Sequence, residues 1–103
     1  MPSKIKIAST SDIPDASMKS FNVSGKRIVV CNIGGDFFAM DDTCTHEQCS
    51  FSTEGFLDGE KIICGCHGSV FEAKTGAVKT PPATSNLKTY RVTKEGNDIY
   101  INL

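Results

Sequence analysis

A chain of 103 residues is long enough for one compact domain and too short for two. Apolar residues make up 39%, so a modest core is possible, with six Phe and two Tyr supplying its bulk in the absence of Trp. A net charge of −1 excludes the strong basic excess expected of a protein that binds nucleic acid without sequence preference.

In chain order the pattern is strand-rich. The opening residues hold no long apolar run and no small-residue cleavage site, so no signal peptide is expected. Residues 4–8 alternate polar and apolar side chains with period two. Residues 17–23 read as a strand, turned by Ser24-Gly25 into the β-branched, apolar run 27–33. Gly34-Gly35 then turns that run into residues 37–40, which is hairpin chemistry. Residues 61–64 and 69–72 read as two more short strands. Residues 88–92 and 98–103 form a closing hairpin around Glu95-Gly96-Asn97. No stretch sustains helical amphipathicity over three turns. The expected fold is therefore all-β, an antiparallel sandwich or barrel. Cys31 alternates with Val29 and Ile33 and is expected to pack inward as a small hydrophobe. The longest apolar stretches, 27–33 and 37–40, are far too short to span a bilayer. No membrane anchor is expected, and a cytoplasmic location is the default. In that compartment clustered Cys and His point to metal before a disulfide framework.

Two segments resist the strand reading. From Asp41 to about Gly59 the alternation breaks down, and Cys, His, Thr, Ser and Gly dominate. A second irregular stretch, 76–85, contains Pro81-Pro82. Irregular loops of this length inside a small domain are usually functional or disordered, and ligand-type residues here favour function. Charge is also uneven. Between Asp36 and Glu60 stand seven acids (Asp36, Asp41, Asp42, Glu47, Glu54, Asp58 and Glu60) and no Lys or Arg. Such a stretch is either a solvated surface or a docking face for a basic partner.

Nearly all the reactive side chains fall in two short blocks. The first is Cys44-Thr45-His46-Glu47-Gln48-Cys49, the second Cys64-Gly65-Cys66-His67-Gly68-Ser69. Cys44 and His46 lie two apart, and Cys64 and His67 three apart, so each block offers one sulfur and one nitrogen. Thiolate with imidazole suits both zinc and iron–sulfur centres. Zinc sites usually begin with paired Cys followed by paired His or Cys. Here every His follows a Cys, an order that fits a binuclear cluster whose two irons are reached from two loops.

With these blocks, the downstream Phe71-Glu72-Ala73-Lys74-Thr75-Gly76 and the Pro81-Pro82 pair, the chain strongly resembles the Rieske ferredoxin family. The resemblance runs from about Ile5 to Ile101. It implies one domain over 1–103, a β-sandwich base carrying a cluster-binding subdomain at roughly 41–83. It implies one [2Fe–2S] cluster, one iron held by Cys44 and Cys64 and the other by His46 and His67. Replacing two thiolates by neutral imidazoles takes the oxidised unit from −2 to zero, which places potentials at roughly −150 to +300 mV. Cys49 and Cys66 fall where high-potential members carry a disulfide joining the loops, which makes them a candidate pair. Ser69 matches a serine that donates to a bridging sulfide. Phe71 stands where that branch has a donating Tyr, and a Phe cannot donate; the expected potential is therefore intermediate. Gly68 is expected to permit a tight backbone beside the cluster, and Pro81-Pro82 to shield it.

The two histidines are both consumed by this centre, leaving none for a mononuclear iron triad or a His base. No G-x-G-x-x-G or P-loop is present. An independent enzyme is therefore not expected, and the resemblance implies a free-standing one-electron carrier between a reductase and a terminal oxygenase, monomeric when free. Close to it stands the small Rieske subunit of an oxidoreductase such as nitrite reductase. A zinc-stabilised interaction module is the reading from a different class.

Overall fold

The computed structural model describes residues 4–42, 51, 55–65, 68–80 and 86–102. Among the described residues ten strands appear in chain order: β1 (Lys4–Ser9), β2 (Ser17–Val23), β3 (Lys26–Ile33), β4 (Asp36–Asp41), β5 (Phe56–Asp58), β6 (Lys61–Ile63), β7 (Val70–Glu72), β8 (Val78–Thr80), β9 (Thr89–Glu95) and β10 (Asp98–Asn102). They form two antiparallel sheets, a six-stranded one in the order β1-β10-β9-β4-β3-β2 and a four-stranded one in the order β5-β6-β7-β8. The all-β, antiparallel expectation holds.

The first hairpins follow from their turns. Val23 pairs Lys26 across Ser24 and Gly25, whose φ angles are 51° and 80°, and Ile33 pairs Asp36 across Gly34 and Gly35, at 64° and 93°. Two central residues with positive φ give a turn whose twist matches that of the flanking strands. Two strands were not legible in the sequence. β5 falls inside the segment where alternation fails, and β8 inside the irregular stretch 76–85. Each has three residues, too few for a period to show, and each exists through its partner: Phe56 pairs Ile63, and Phe71 pairs Val78. A single 3-10 turn, Thr10–Asp12, joins β1 to β2, its start tied by the Ser9 N–H donating to Asp12 Oδ2 at 2.9 Å.

β3 organises the core. Its residues Ile28 to Asn32 are all buried, and successive side chains serve different cores. Ile28 and Val30 join Ala8, Ile13, Val23, Ala39, Ile99 and Ile101, where the large sheet packs on itself. Val29 and Cys31 face the other way and join Met40, Phe51, Ile62, Cys64, Phe71, Ala73 and Leu87, the layer between the two sheets. A strand buried on both faces reads as an unbroken apolar run, as residues 28–31 do. Cys31 packs inward as expected.

One side chain of β3 is different. Arg27 sends Nε to Asp42 Oδ2 at 2.8 Å, and Asp42 is fully buried although it stands in the acidic stretch. The backbone follows the same route, since the Asp42 N–H donates to the Arg27 carbonyl at 3.1 Å. The acidic stretch is therefore only partly a solvated surface. Asp42 is held by Arg27, Asp41 accepts from Tyr90, and Glu60 pairs with Lys74.

Two outcomes follow from this packing. Burial first, and the Asp42 charge second, push the Cys31 thiol up to about 12. An unfolded cysteine ionises near pH 9, so above that pH the unfolded chain sheds a proton that the folded one keeps, and stability falls as pH rises from 9 towards 12. Denaturant midpoints across this range are expected to fall less in Cys31→Ala than in the wild type; equal slopes would contradict the placement. Arg27→Met keeps the aliphatic stem and deletes the charge, and is expected to cost about 1.5–3 kcal/mol in chemical unfolding, the range for a hydrogen bond to a charged group. A loss under about half a kcal/mol would show that Asp42 does not depend on Arg27.

Candidate metal centre

The site is built at one end of the small sheet. Antiparallel pairing puts the start of β5, the end of β6, the start of β7 and the end of β8 together. The segment before β5, the turn between β6 and β7, and the segment after β8 all leave the sheet there. These are the sequence stretches that hold the Cys-His blocks and Pro81-Pro82. The described residues on either side of the two blocks are thus brought together at one end of the sheet.

Of the expected ligands, Cys64 is described; Cys44, His46 and His67 lie outside the described residues. So do Cys49 and Cys66, the candidate disulfide, and Pro81 and Pro82. Cys64 follows β6 directly and is 2% exposed. Its N–H donates to the Ser69 carbonyl at 2.8 Å, and its own carbonyl accepts from the Gly68 N–H at 2.9 Å. The second block is therefore a turn closed at its neck by two backbone hydrogen bonds, with Gly68 at a φ of 77° as the tight backbone requires. Ser69 is fully buried at this neck.

Apolar walls surround Cys64 on the protein side. Phe51 and Phe71, both buried, meet edge to face with centroids 5.6 Å apart, in the same cluster as Cys64. Phe71 is a core ring, and its place in the Phe51 contact explains why an apolar residue suits this position. Phe51 also fixes the first segment. Its N–H donates to the Asp42 carbonyl at 3.0 Å, and its carbonyl accepts from the Gly55 N–H at 2.9 Å. Gly55 closes the gap to the second block: a Cβ there would stand 2.6 Å from the Ile63 carbonyl, one residue before Cys64. Only glycine permits that approach, and it joins the end of one loop to the beginning of the other.

The start of the first segment is pinned from both sides. Asp42 binds Arg27 as described above. The Asp41 N–H donates to the Lys88 carbonyl at 3.0 Å, and Asp41 Oδ1 accepts from the Tyr90 hydroxyl at 2.6 Å. Burial, then the bond to Asp41 and its charge, raise the Tyr90 hydroxyl well above its ordinary range, so it stays a donor at any ordinary pH. Lys26 and Lys88 lie over the Tyr90 ring, 5.9 and 5.4 Å from its centroid. Sequence reasoning missed these anchors. Their one signal was a pair of carboxylates placed immediately before a ligand block, opposite an Arg that opens a strand's apolar run.

The donor chemistry suits an iron–sulfur cluster: a buried thiol at the hydrogen-bonded neck of the second block, backed by apolar rings that keep water from the sulfur. Comparison with known proteins agrees. Residues 3–91 match the Rieske [2Fe-2S] domain. The chain is 39% identical over 98 residues to the ferredoxin component of biphenyl 2,3-dioxygenase from Rhodococcus jostii (strain RHA1), covering 95% of this chain and 91% of that protein. It is 36% identical over 92 residues to the ferredoxin component of the naphthalene 1,2-dioxygenase system of Pseudomonas aeruginosa, covering 89% of this chain and 88% of that one. Among solved structures, a Sphingomonas yanoikuyae B1 ferredoxin superposes with a TM-score of 0.90 at 29% identity, covering 98% and 99% of the two chains. A ferredoxin solved in complex with the oxygenase of carbazole 1,9a-dioxygenase superposes with a TM-score of 0.89 at 33% identity, covering 95% and 91%. The fold, the buried Cys64 turn and these matches place the chain in the Rieske [2Fe–2S] family.

Proposed function

We propose that this chain is the ferredoxin component of a multicomponent dioxygenase, carrying single electrons from a reductase to a terminal oxygenase. The observation that carries the reading is the meeting of the two block roots at one sheet end, with Cys64 buried on a closed turn. Relatives named as ferredoxin components of dioxygenase systems, at 30–39% identity over nearly the whole chain, supply the partner class. The chain is an electron-transfer component and not itself the catalyst.

Cys44 and Cys64 hold one iron, and His46 and His67 the other, within one domain whose cluster-binding part spans roughly 41–83. When bound, the cluster supplies a centre that takes up and gives back one electron. The residues of the chain set its conditions. Two imidazoles in place of thiolates keep the oxidised unit neutral and ease reduction. Phe51 and Phe71 exclude water behind Cys64. Cys49 and Cys66 form a disulfide between the blocks, Pro81-Pro82 shield the outer side, and the free carrier is monomeric. Ser69 would donate towards the cluster, as the family resemblance implies, while Phe71 offers no hydroxyl, which together would set an intermediate potential. Among the described residues no helix is long and apolar enough to cross a membrane; the working location is the cytoplasm.

Purified protein is expected to be coloured, to contain two irons and two acid-labile sulfides per chain, and to give a paramagnetic resonance signal on reduction. Replacing His46 and His67 together by Ala should abolish the chromophore. Stoichiometric zinc, or colour surviving in the double variant, would overturn the ligand set. Thiol counting on denatured, unreduced protein tests the bridge: the five cysteines less a bonded pair leave three that alkylate, whereas five alkylated residues exclude it.

A further inference from the structure

A fully buried carboxylate stands at the root of the first ligand block. Asp42 is 0% exposed, while Asp36, Asp58 and Glu60 of the same acidic stretch are exposed. Three observations place it against the proposed cluster site. Asp42 precedes Cys44 by two residues, and two residues of chain reach no further than about 7 Å. Its carbonyl accepts the N–H of Phe51, the ring that meets Phe71 in the apolar layer holding Cys64. Its charge also acts on the Cys31 thiol, which lies in that same layer. The carboxylate thus exerts its field inside the layer that backs the site, where water screens it little.

A fixed negative charge opposes the arrival of an electron at a neighbouring centre, because reduction adds a like charge. What counters it here comes from another strand. From Asp36 to Glu60 the sequence holds no Lys or Arg, and Arg27 of β3 reaches Asp42 Oδ2 with Nε at 2.8 Å. Packing does not explain the choice of residue. The Arg27 side chain is 55% exposed and outside both core clusters, on a strand whose next five residues are buried. From these observations we infer that Arg27 is a potential-setting residue. By pairing with the buried Asp42 it keeps the reduction potential of the cluster above the value that this carboxylate would otherwise impose. This rests on the ligand set proposed above.

The two charges do not act equally. Asp42 is enclosed and Arg27 is half in water, so solvent and salt weaken the field of the guanidinium more than that of the carboxylate. The pair therefore keeps a net negative influence, smaller than that of the carboxylate with one cation fewer. Two opposite shifts follow. Loss of Arg27 strengthens the opposition to reduction and lowers the midpoint, whereas loss of the Asp42 charge raises it. Lys26 separates pairing from net charge, since it adjoins Arg27 in the chain but is exposed and lies over the Tyr90 ring.

The test measures midpoint potentials of the whole loaded protein by film voltammetry, at one pH and ionic strength, with visible and resonance spectra recorded on each variant. Arg27→Gln is expected to lower the midpoint with both spectra unchanged, and Arg27→Lys to restore it most of the way to the wild-type value. Asp42→Asn is expected to raise it, and the double variant Arg27→Gln/Asp42→Asn to lie above Arg27→Gln alone. Lys26→Gln removes the same unit charge from open surface and should shift the midpoint less than Arg27→Gln does. An unchanged or raised midpoint in Arg27→Gln overturns the assignment, as does an equal shift in Lys26→Gln, which makes overall charge the cause. A double variant as low as Arg27→Gln overturns it too. So does a lowered midpoint with altered spectra, which makes Arg27 a support of the cluster geometry. Where Arg27→Gln takes up no cluster, Asp42→Asn decides, and a midpoint at or below the wild type overturns the assignment. Wild-type protein lacking iron, sulfide and the resonance signal defeats the ligand set itself, before any variant is compared.

Discussion

The two-sided burial of β3 is the constraint on which the remaining structure depends. A strand with Ile28 and Val30 on one face and Val29 and Cys31 on the other has no face to offer solvent. The large sheet closes over the first pair by bringing β1 and β10 round to it, so that Ile99 and Ile101 meet Ile28. The second pair needs a different cover, and the four-stranded sheet provides it through Leu57, Ile62 and Phe71. The small sheet is thus a lid over half of the core. The metal site is carried on the edge of that lid, held in place by the same hydrophobic burial that stabilises the fold.

Rigidity at the site then comes from short polar ties. The first segment starts where Asp41 and Asp42 are drawn to opposite strands, one to Tyr90 of β9 and one to Arg27 of β3. It passes through the core at Phe51 and ends against the β6 backbone at Gly55. The second segment is a turn fixed at its neck by the Cys64–Ser69 and Gly68–Cys64 bonds. Burying Asp42 within reach of Arg27 keeps the loop root from drifting, at the expense of desolvating a carboxylate.

The acidic stretch shows how one compositional feature serves two ends. Asp41, Asp42 and Glu60 are structural, each with a partner in the chain. Asp58 is exposed on the outward face of the small sheet. Summed charge along the sequence does not distinguish these positions, because a carboxylate that holds a loop and one exposed to solvent are the same residue type. Their separation depends on which side of a strand each lies.

Much of this protein is written locally. Period-two alternation, glycine turns with fixed length and a continuous β-branched run specify β1 to β4, β9 and β10, because each is decided by residues within a few positions. The Cys-His blocks specify the chemistry, because ligand type and spacing travel with the sequence. The three-residue strands β5 and β8 were not legible, being too short for a pattern and existing only by pairing with β6 and β7. Nor were the burial of Asp42 and the close approach of Gly55 to Ile63, which link residues 15 and 8 positions apart. An outward row of Phe56, Ile63 and Val70 likewise appears only once the strands are in register. Sequence alone pointed to the candidate ligands and determined which runs become strands, since both are local properties. Tertiary structure decided which carboxylates are buried and which apolar side chains face outward, since those depend on what packs from elsewhere in the chain.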